Sequence, residues 1–351
     1  MASFALPDTM PALVWEAPRQ MTLRRVPRPI PQPDEVLIKV AYVGICGSEL
    51  SGYLGHNALR VPPLVMGHEF SGEIAALGAN AQALNPALQL GQPVTVNPMV
   101  FCGQCESCLQ GQTHLCANRR LIGAHRPGAF AAYAAAPAWM VVPLPAALPL
   151  RAGALTEPVA CGIRAWRWAG DVTGISVLVV GAGTIGLLSM QVLRLNGAAQ
   201  VFVSDSDPQR LAAARELGAV TFNPRQVDVP QAVREATGGR GVPVAVDAVG
   251  KAVTREQCVR AARPGGRVIL SGLHEEVSTL PIADIIRREI TLHGSFCYTQ
   301  ADFQEAARLL TAGQIHLGPW IVEAPLAEGG SWFEKLCAEN PGQVAKVLLV
   351  P

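Results

Sequence analysis

Cys102, Cys105, Cys108 and Cys116 fall within fifteen residues, spaced C-x2-C-x2-C-x7-C. Short spacers let successive thiolates turn inward on one ion, and the longer spacer brings the fourth across. Tetrahedral zinc takes this arrangement, with sulfur at about 2.3 Å. Gly103 and Gly111 supply backbone for the tight turns. Four thiolates leave the site with a net charge of −2, which Arg119 and Arg120 follow closely enough to offset. Four protein ligands close the coordination sphere, so the expected role is to fix a lobe of chain at about 98–120. The remaining cysteines, Cys46, Cys161, Cys258, Cys297 and Cys337, bring the total to nine and show no pairing pattern. That usage fits a reducing compartment and a cytoplasmic protein better than a disulfide framework.

A second constellation is open. "GICGSEL" contains Cys46, "VMGHEFSGEI" contains His68 and Glu69, and "ALTEPVACGIRAW" contains Glu157. A thiolate, an imidazole and a carboxylate form a zinc set with a position left for water or substrate. Gly44, Gly47 and Gly67 flank the first two, as backbone close to an ion requires. Glu157 and Cys161 are four residues apart and share a helix face, so either can reach an ion. Softness favours the thiolate. Position favours Glu157, just before Pro158 at a helix start, whereas Cys161 sits among apolar neighbours as a small core residue. Glu157 is therefore expected at the site, directly or through water, and Cys161 in the packing.

These residues need a scaffold, and its pattern changes near residue 175. "ISVLVV" reads as a buried parallel strand, followed by "GAGTIG" and a helix through "LLSMQVLRLNGA". Strand "QVFVSD", helix "PQRLAAARELGA", strand "VPVAVDAVG", a helix near "REQCVRAARPGG" and strand "RVILSGL" continue the alternation. Repeated β-α units imply an α/β fold with a doubly wound parallel sheet. Gly181, Gly183, Thr184, Ile185 and Gly186 span a G-x-G-x-x-G turn between strand and helix, where a helix N-terminus receives a pyrophosphate. Asp205 ends the next strand, where a carboxylate accepts from the adenosine ribose hydroxyls. The competing role, a cap for the following helix, is already filled by Asp207-Pro208. A carboxylate there repels a 2′-phosphate, so NAD is expected rather than NADP.

The chain has 351 residues, room for two domains. Half are hydrophobic, 16% are charged, and the net charge is +1, so neither nucleic acid nor an anionic membrane is implied as partner. The low charge suggests surface buried between subunits. The N-terminal stretch has no basic segment followed by a long apolar one, and no export signal is expected. Uncharged runs at 127–150 and 172–193 are broken by prolines and glycines and are not read as membrane spans.

Together "CGSEL", "GHEFSGEI", the four-cysteine lobe, "TEP", "VVGAGTIGLL", "VSDSDPQRL" and "GSFCYTQADFQEAARLL" resemble the zinc-dependent medium-chain dehydrogenases, in particular their sorbitol (polyol) branch. The likeness covers nearly the whole chain. It implies a GroES-like, β-rich catalytic domain from 1–160 and 298–351, with a Rossmann NAD-binding domain at 161–297. It implies two zinc ions per chain and a homotetramer, a homodimer being the smaller alternative. Cys46, His68 and Glu157 would hold the catalytic zinc, with Glu69 behind them or alternating as ligand. Ser48 would begin proton relay, Arg210 would lie beside the adenine ribose, and Ser271–Leu273 and Phe296–Cys297 near the nicotinamide. The relay histidine expected three residues after Ser48 is replaced by Ser51, leaving His56, or water and the ribose, to pass the proton on. Gly52 replaces a tyrosine, and Cys297 the arginine of "F-R-Y"; both line the polyol site in the branch, so sorbitol itself is not implied.

The implied reaction is oxidation of a secondary alcohol. The metal lowers the alcohol's pKa, Ser48 takes up the proton, and hydride passes to NAD. Within the family the alternatives are a threonine-type amino-alcohol or a sugar-phosphate dehydrogenase. The last needs cationic residues in the cleft, for which His56, Arg60 and Arg126 are the candidates. A zinc- and NAD-binding protein without turnover is the reading from another class.

Overall fold

The computed structural model describes residues 6–338 and 344–351. Residues 1–5, where the reading for an export signal begins, lie outside the described residues.

Six parallel strands form one sheet, in the order Val220–Phe222, Gln200–Ser204, Ser176–Val180, Val242–Asp247, Ala262–Leu270, Thr291–Gly294. Val177, Leu178 and Val179 of the central strand are fully buried, because helices cover both faces and leave no polar side to alternate with. The order reverses at Ser176–Val180, and the crevice beyond the strands' carboxyl ends opens there. The helix after the glycine turn runs Thr184–Leu195, three residues earlier than the apolar run suggests, because Gly183 already stands at its cap. Asp207 caps Pro208–Glu216, accepting from the amides of Gln209 and Arg210. The helix expected near 255–266 is Ala252–Ala261, and the following strand starts at Ala262 despite Pro264, Gly265 and Gly266. Its pairing with Val242–Asp247 is irregular there, which accommodates those residues.

The second body is β-rich. Its larger sheet runs Val141–Pro143, Pro93–Val96, Glu69–Leu77, Glu35–Gly44, Lys346–Val350, Ile321–Pro325, with Tyr133–Pro137 also on Glu35–Gly44. Lys346–Val350 pairs Leu348 with Gly44 and Leu349 with Val43, so chain beyond 320 returns to the sheet built by the first hundred residues. Val36, Leu37, Ile38, Phe70, Val94 and Leu349 fill its core.

Helix Thr156–Ala169 joins the two bodies. Gly162 brings it onto helix Thr184–Leu195, where a Cβ would stand 3.2 Å from the Ser189 backbone. The Thr184 hydroxyl donates to the Ala345 carbonyl, and Asn97 donates to Gln300 at 2.6 Å. No described helix is long and apolar enough to cross a membrane.

Candidate active site

The four-cysteine lobe is tied at its base by two-residue strands, Met99–Val100 against Arg120–Leu121. Gly103 and Gly111 turn with φ of +74° and +75°. The four sulfurs lie within 4.8 Å of one another, with Cys105–Cys108 and Cys102–Cys116 at 3.5 Å. A sulfur tetrahedron around zinc has edges of about 3.8 Å, so these donors fit the ion. None of the nine cysteines is in a disulfide. The Cys102 thiol is pulled down to about 6 by backbone amides at Gln104 and Cys105, while burial pushes Cys108 up to about 12. Arg119 does not fold back over the sulfurs. Its guanidinium reaches the Cys116 carbonyl and lies over the Phe296 ring, 5.2 Å from the centroid. His114 docks the lobe on Arg164 of the joining helix at 3.3 Å; burial, then Arg164, pulls its pKa down to about 4.

The open set is assembled by strand pairing. Gly44 pairs with Glu69, which sets Cys46, just past one strand, beside His68, just before the other. Gly44 has to be glycine, because a Cβ there would stand 2.2 Å from the Glu69 carboxylate. The donor atoms of Cys46, His68 and Glu69 lie within 4.8 Å of one another. Glu157, buried in the first turn of helix Thr156–Ala169, is outside that tight trio but faces it. Burial raises its pKa to about 7, and the charges of His68 and Glu69 both act on it. Cys161 borders the same cluster; burial, then Glu157, pushes its thiol up. Tyr298 adds a buried ring beside Glu157.

Two residues at this site carry no local signal that reading the sequence used. Glu49, fully buried, accepts from His68 Nδ1 at 2.8 Å, from the Gly67 amide at 2.8 Å and from the Cys46 amide at 3.1 Å. It fixes the imidazole with Nε2 left for a metal. Burial alone would depress the imidazolium, but Glu49 and then Cys46 outweigh it and hold the His68 pKa well above its ordinary value. Lys346, buried on the late strand, pairs with Glu69 and donates to the Ile45 carbonyl at 3.0 Å. Burial works against its charge, and Glu69 more than restores it. Glu69 is thereby neutralised where it stands.

Ser48 Oγ lies 3.5 Å from Cys46 Sγ. The structure does not bring His56 to it: His56 is exposed, and the partner from this segment is Arg60, which donates to Ser48 Oγ at 3.3 Å. An arginine only donates, so the relay continues by another route. Arg126 is paired with Glu35, away from this cluster.

The dinucleotide residues gather at the sheet's reversal point. Gly186 has to be glycine, since a Cβ would stand 1.8 Å from the Gly181 carbonyl. A Cβ on Gly183 would meet open space, and helix Thr184–Leu195 starts without a side-chain cap, leaving its first amides for an anion. Asp205 accepts from the Ala182 amide at 2.7 Å with one oxygen and from Asp207 at 2.8 Å with the other. Each oxygen keeps a lone pair, so the ribose role remains open. Arg210, one helical turn on, has a buried Nε without a partner. Ile185 is half-buried in the first turn of the helix. Ser271 hangs from the Asp247 carbonyl at 3.0 Å, Leu273 is exposed, and Cys297 takes a φ of +47° beside Phe296. A groove with these donors suits a dinucleotide.

Comparison with known proteins agrees with this geometry. Residues 32–146 match the alcohol dehydrogenase GroES-like domain, and 184–312 match the zinc-binding dehydrogenase family. The chain is 35% identical to an L-galactonate-5-dehydrogenase of Escherichia coli (strain K12), over 88% of this chain and 89% of that one. It is 33% identical to a 2-dehydro-3-deoxy-L-galactonate 5-dehydrogenase of Pseudoalteromonas atlantica, over 90% and 92%. A zinc-binding dehydrogenase structure from Sinorhizobium meliloti, bound to NADP, superposes with a TM-score of 0.91 at 32% identity, covering 98% of this chain and 100% of that one. With two matched domains, two metal donor sets and a glycine turn at the reversal point of the parallel sheet, the chain belongs to the zinc-dependent alcohol dehydrogenase family and is an oxidoreductase acting on CH–OH groups.

Proposed function

We propose that this dehydrogenase oxidises a secondary alcohol of a polyol or sugar-derived substrate, using NAD. The observation that carries the reading is the open donor set of Cys46, His68 and Glu69 in a chain that also builds a glycine turn at the reversal point of a parallel sheet. Cys46, His68 and Glu157 hold the catalytic metal, Glu69 waits against Lys346 as the alternate ligand, and Cys102, Cys105, Cys108 and Cys116 hold a second, structural zinc. Bound there, a metal would supply Lewis-acid polarisation of an alcohol oxygen, and NAD would supply the hydride acceptor. Ser48 Oγ would accept the alcohol proton as it passes its own hydroxyl proton to water or the coenzyme ribose, while Glu49 keeps His68 oriented. Coenzyme reduction over a panel of polyols and other secondary alcohols tests the activity; no reduction with any of them removes the proposal.

Glu157 and Cys161 differ in what they should do. Removing residues behind a metal ligand costs 10–100-fold in many sites, so Glu157→Ala should lower turnover by at least about 100-fold and loosen the catalytic zinc. Cys161→Ala should leave metal content intact. Zinc analysis of both variants checks this, and loss of one zinc only in Cys161→Ala reverses the assignment.

Asp205 selects NAD in this proposal. Asp205→Ser should cost about 1–3 kcal/mol of NAD preference, the worth of charge-assisted hydrogen bonds to the ribose. Comparing kcat/KM for NAD and NADP measures it, and a wild type equally efficient with both refutes the role. Nine unpaired cysteines support a cytoplasmic setting. The edge strand Thr291–Gly294, with Leu273, Val277, Ile282 and Ile286 exposed in the preceding segment, supports self-association, as a homotetramer or homodimer, which sedimentation resolves.

A further inference from the structure

Cys297 takes a φ of +47°, a region that L side chains seldom adopt and that persists only where the surroundings hold it. Its neighbours show what does. Phe296 lies under the Arg119 guanidinium, 5.2 Å from the ring centroid, and Arg119 in turn donates to the Cys116 carbonyl at 3.4 Å. Tyr298 is fully buried beside Glu157. Thr299 gives its amide and hydroxyl to the Asp302 carboxylate, at 2.9 and 2.8 Å, which ties the turn to helix Gln300–Thr311.

Asp302 is fully buried, and the joining helix holds it through Arg167 and, at 3.9 Å, Arg164. Arg164 lies over the Trp168 ring and donates to His114 at 3.3 Å. His114 falls between Cys108 and Cys116, and Arg119 comes three residues after Cys116. The cysteine lobe therefore grips the chain twice, on the turn through Phe296 and on helix Thr156–Ala169 through Arg164. Both grips flank Glu157, which rides that helix about two turns from Arg164 and packs beside Tyr298 of that turn. Strand pairing places Cys46, His68 and Glu69 whatever the lobe does. Glu157 alone depends on the joining helix. The lobe in turn depends on its ion, since two-residue strands are all that tie its base.

We infer that the lobe positions the open metal set: acting through Arg119 and His114, it holds Glu157 toward Cys46 and His68, so that an ion in the closed set raises the affinity of the open one. The inference rests on the reading that Cys46, His68 and Glu157 hold the catalytic metal, and adds a coupling between two sites that are separate in their ligands. Linkage makes the coupling reciprocal, so an empty open set lowers the affinity of the closed one by the same factor. The rival role for the lobe is fold stability alone, which leaves open-site affinity unchanged while the closed ion is bound.

The test is zinc affinity by chelator competition on the full chain, a readout that needs no turnover. Cys46→Ala, which keeps only the closed site, identifies that site's contribution. Arg119 is exposed, so Arg119→Ala should fold and keep the closed zinc. Its open-site Kd should rise by about 10-fold or more, in line with the 10–100-fold cost of losing groups that orient metal ligands. Arg119→Lys, which keeps a cation over the Phe296 ring, should recover part of the loss. His114→Phe should weaken the open site in the same direction. An Arg119→Ala chain that binds open-site zinc as tightly as wild type overturns the inference. So does one whose only change is a weaker closed site. Glu157→Ala separates this from the ligand reading. If Glu157→Ala keeps wild-type open-site affinity, the ligand reading fails and the inference falls with it. If Glu157→Ala loosens that zinc and Arg119→Ala does not, the inference fails alone.

Discussion

Cys46→Ala should reduce alcohol-dependent coenzyme reduction by at least about 1,000-fold while leaving a folded chain that retains one zinc. A metal acting as Lewis acid contributes several kcal/mol to the stabilisation of developing charge, and about 4 kcal/mol corresponds to that factor. Folding should survive, because the open set is not what holds its surroundings together. Strands Glu35–Gly44 and Glu69–Leu77 are paired over most of their length, and Ile45, Met66 and Phe70 are buried in the apolar core beside them. His68 keeps its bond to Glu49, so the pocket keeps its shape. Zinc content, a melting curve and initial rates on one preparation decide the matter. Full activity in a one-zinc variant, or one zinc in freshly purified wild type, would remove the two-site proposal.

The second large effect belongs to the closed set. Cys102→Ala or Cys105→Ala should cost several kcal/mol locally, since structural zinc contributes folding free energy directly. The lobe has little else. Its strands are two residues long, and its short helix, Glu106–Leu109, buries no residue. Without the ion, the chain between 101 and 117 should become a protease target, and a melting transition should move down or split. The lobe also carries His114 to Arg164 and Arg119 to Phe296, so its loss should reach the cleft and raise KM. Limited proteolysis with and without a chelator tests this, and a lobe equally resistant in both states contradicts it.

What reading the sequence recovered was carried by short spacings. The four cysteines, the glycine turn and Asp207-Pro208 each complete their signal within fifteen residues, and the structure brings their members together. Helix Val229–Ala236 carries the same kind of local signal, with Asp228 capping it and Pro230 in its first turn. Strands Val220–Phe222 and Thr291–Gly294 are too short for an alternation to show. Glu49 and Lys346 belong to a third kind. Each looks like an ordinary surface charge in its own segment. Its meaning comes from a partner 19 or 277 residues away, and only the folded register supplies it. The replacement of His56 by Arg60 as the neighbour of Ser48 illustrates the same limit, because a turn after helix Gly47–Tyr53 decides which residue arrives.

Strand Lys346–Val350 closes the sheet that Glu35–Gly44 began, and its lysine neutralises Glu69. On a ribosome this imposes a sequence of events. The parallel-sheet body, from Ser176 to Gly294, has all its strands available before this strand is synthesised. The β-rich body must wait, with an exposed sheet edge at Val43–Gly44 and an unpaired carboxylate at Glu69. The nascent chain is therefore vulnerable to edge-to-edge aggregation for as long as the intervening segment takes to emerge. The cysteine lobe, complete by residue 116, can load its ion long before the lysine that pairs with Glu69 is made.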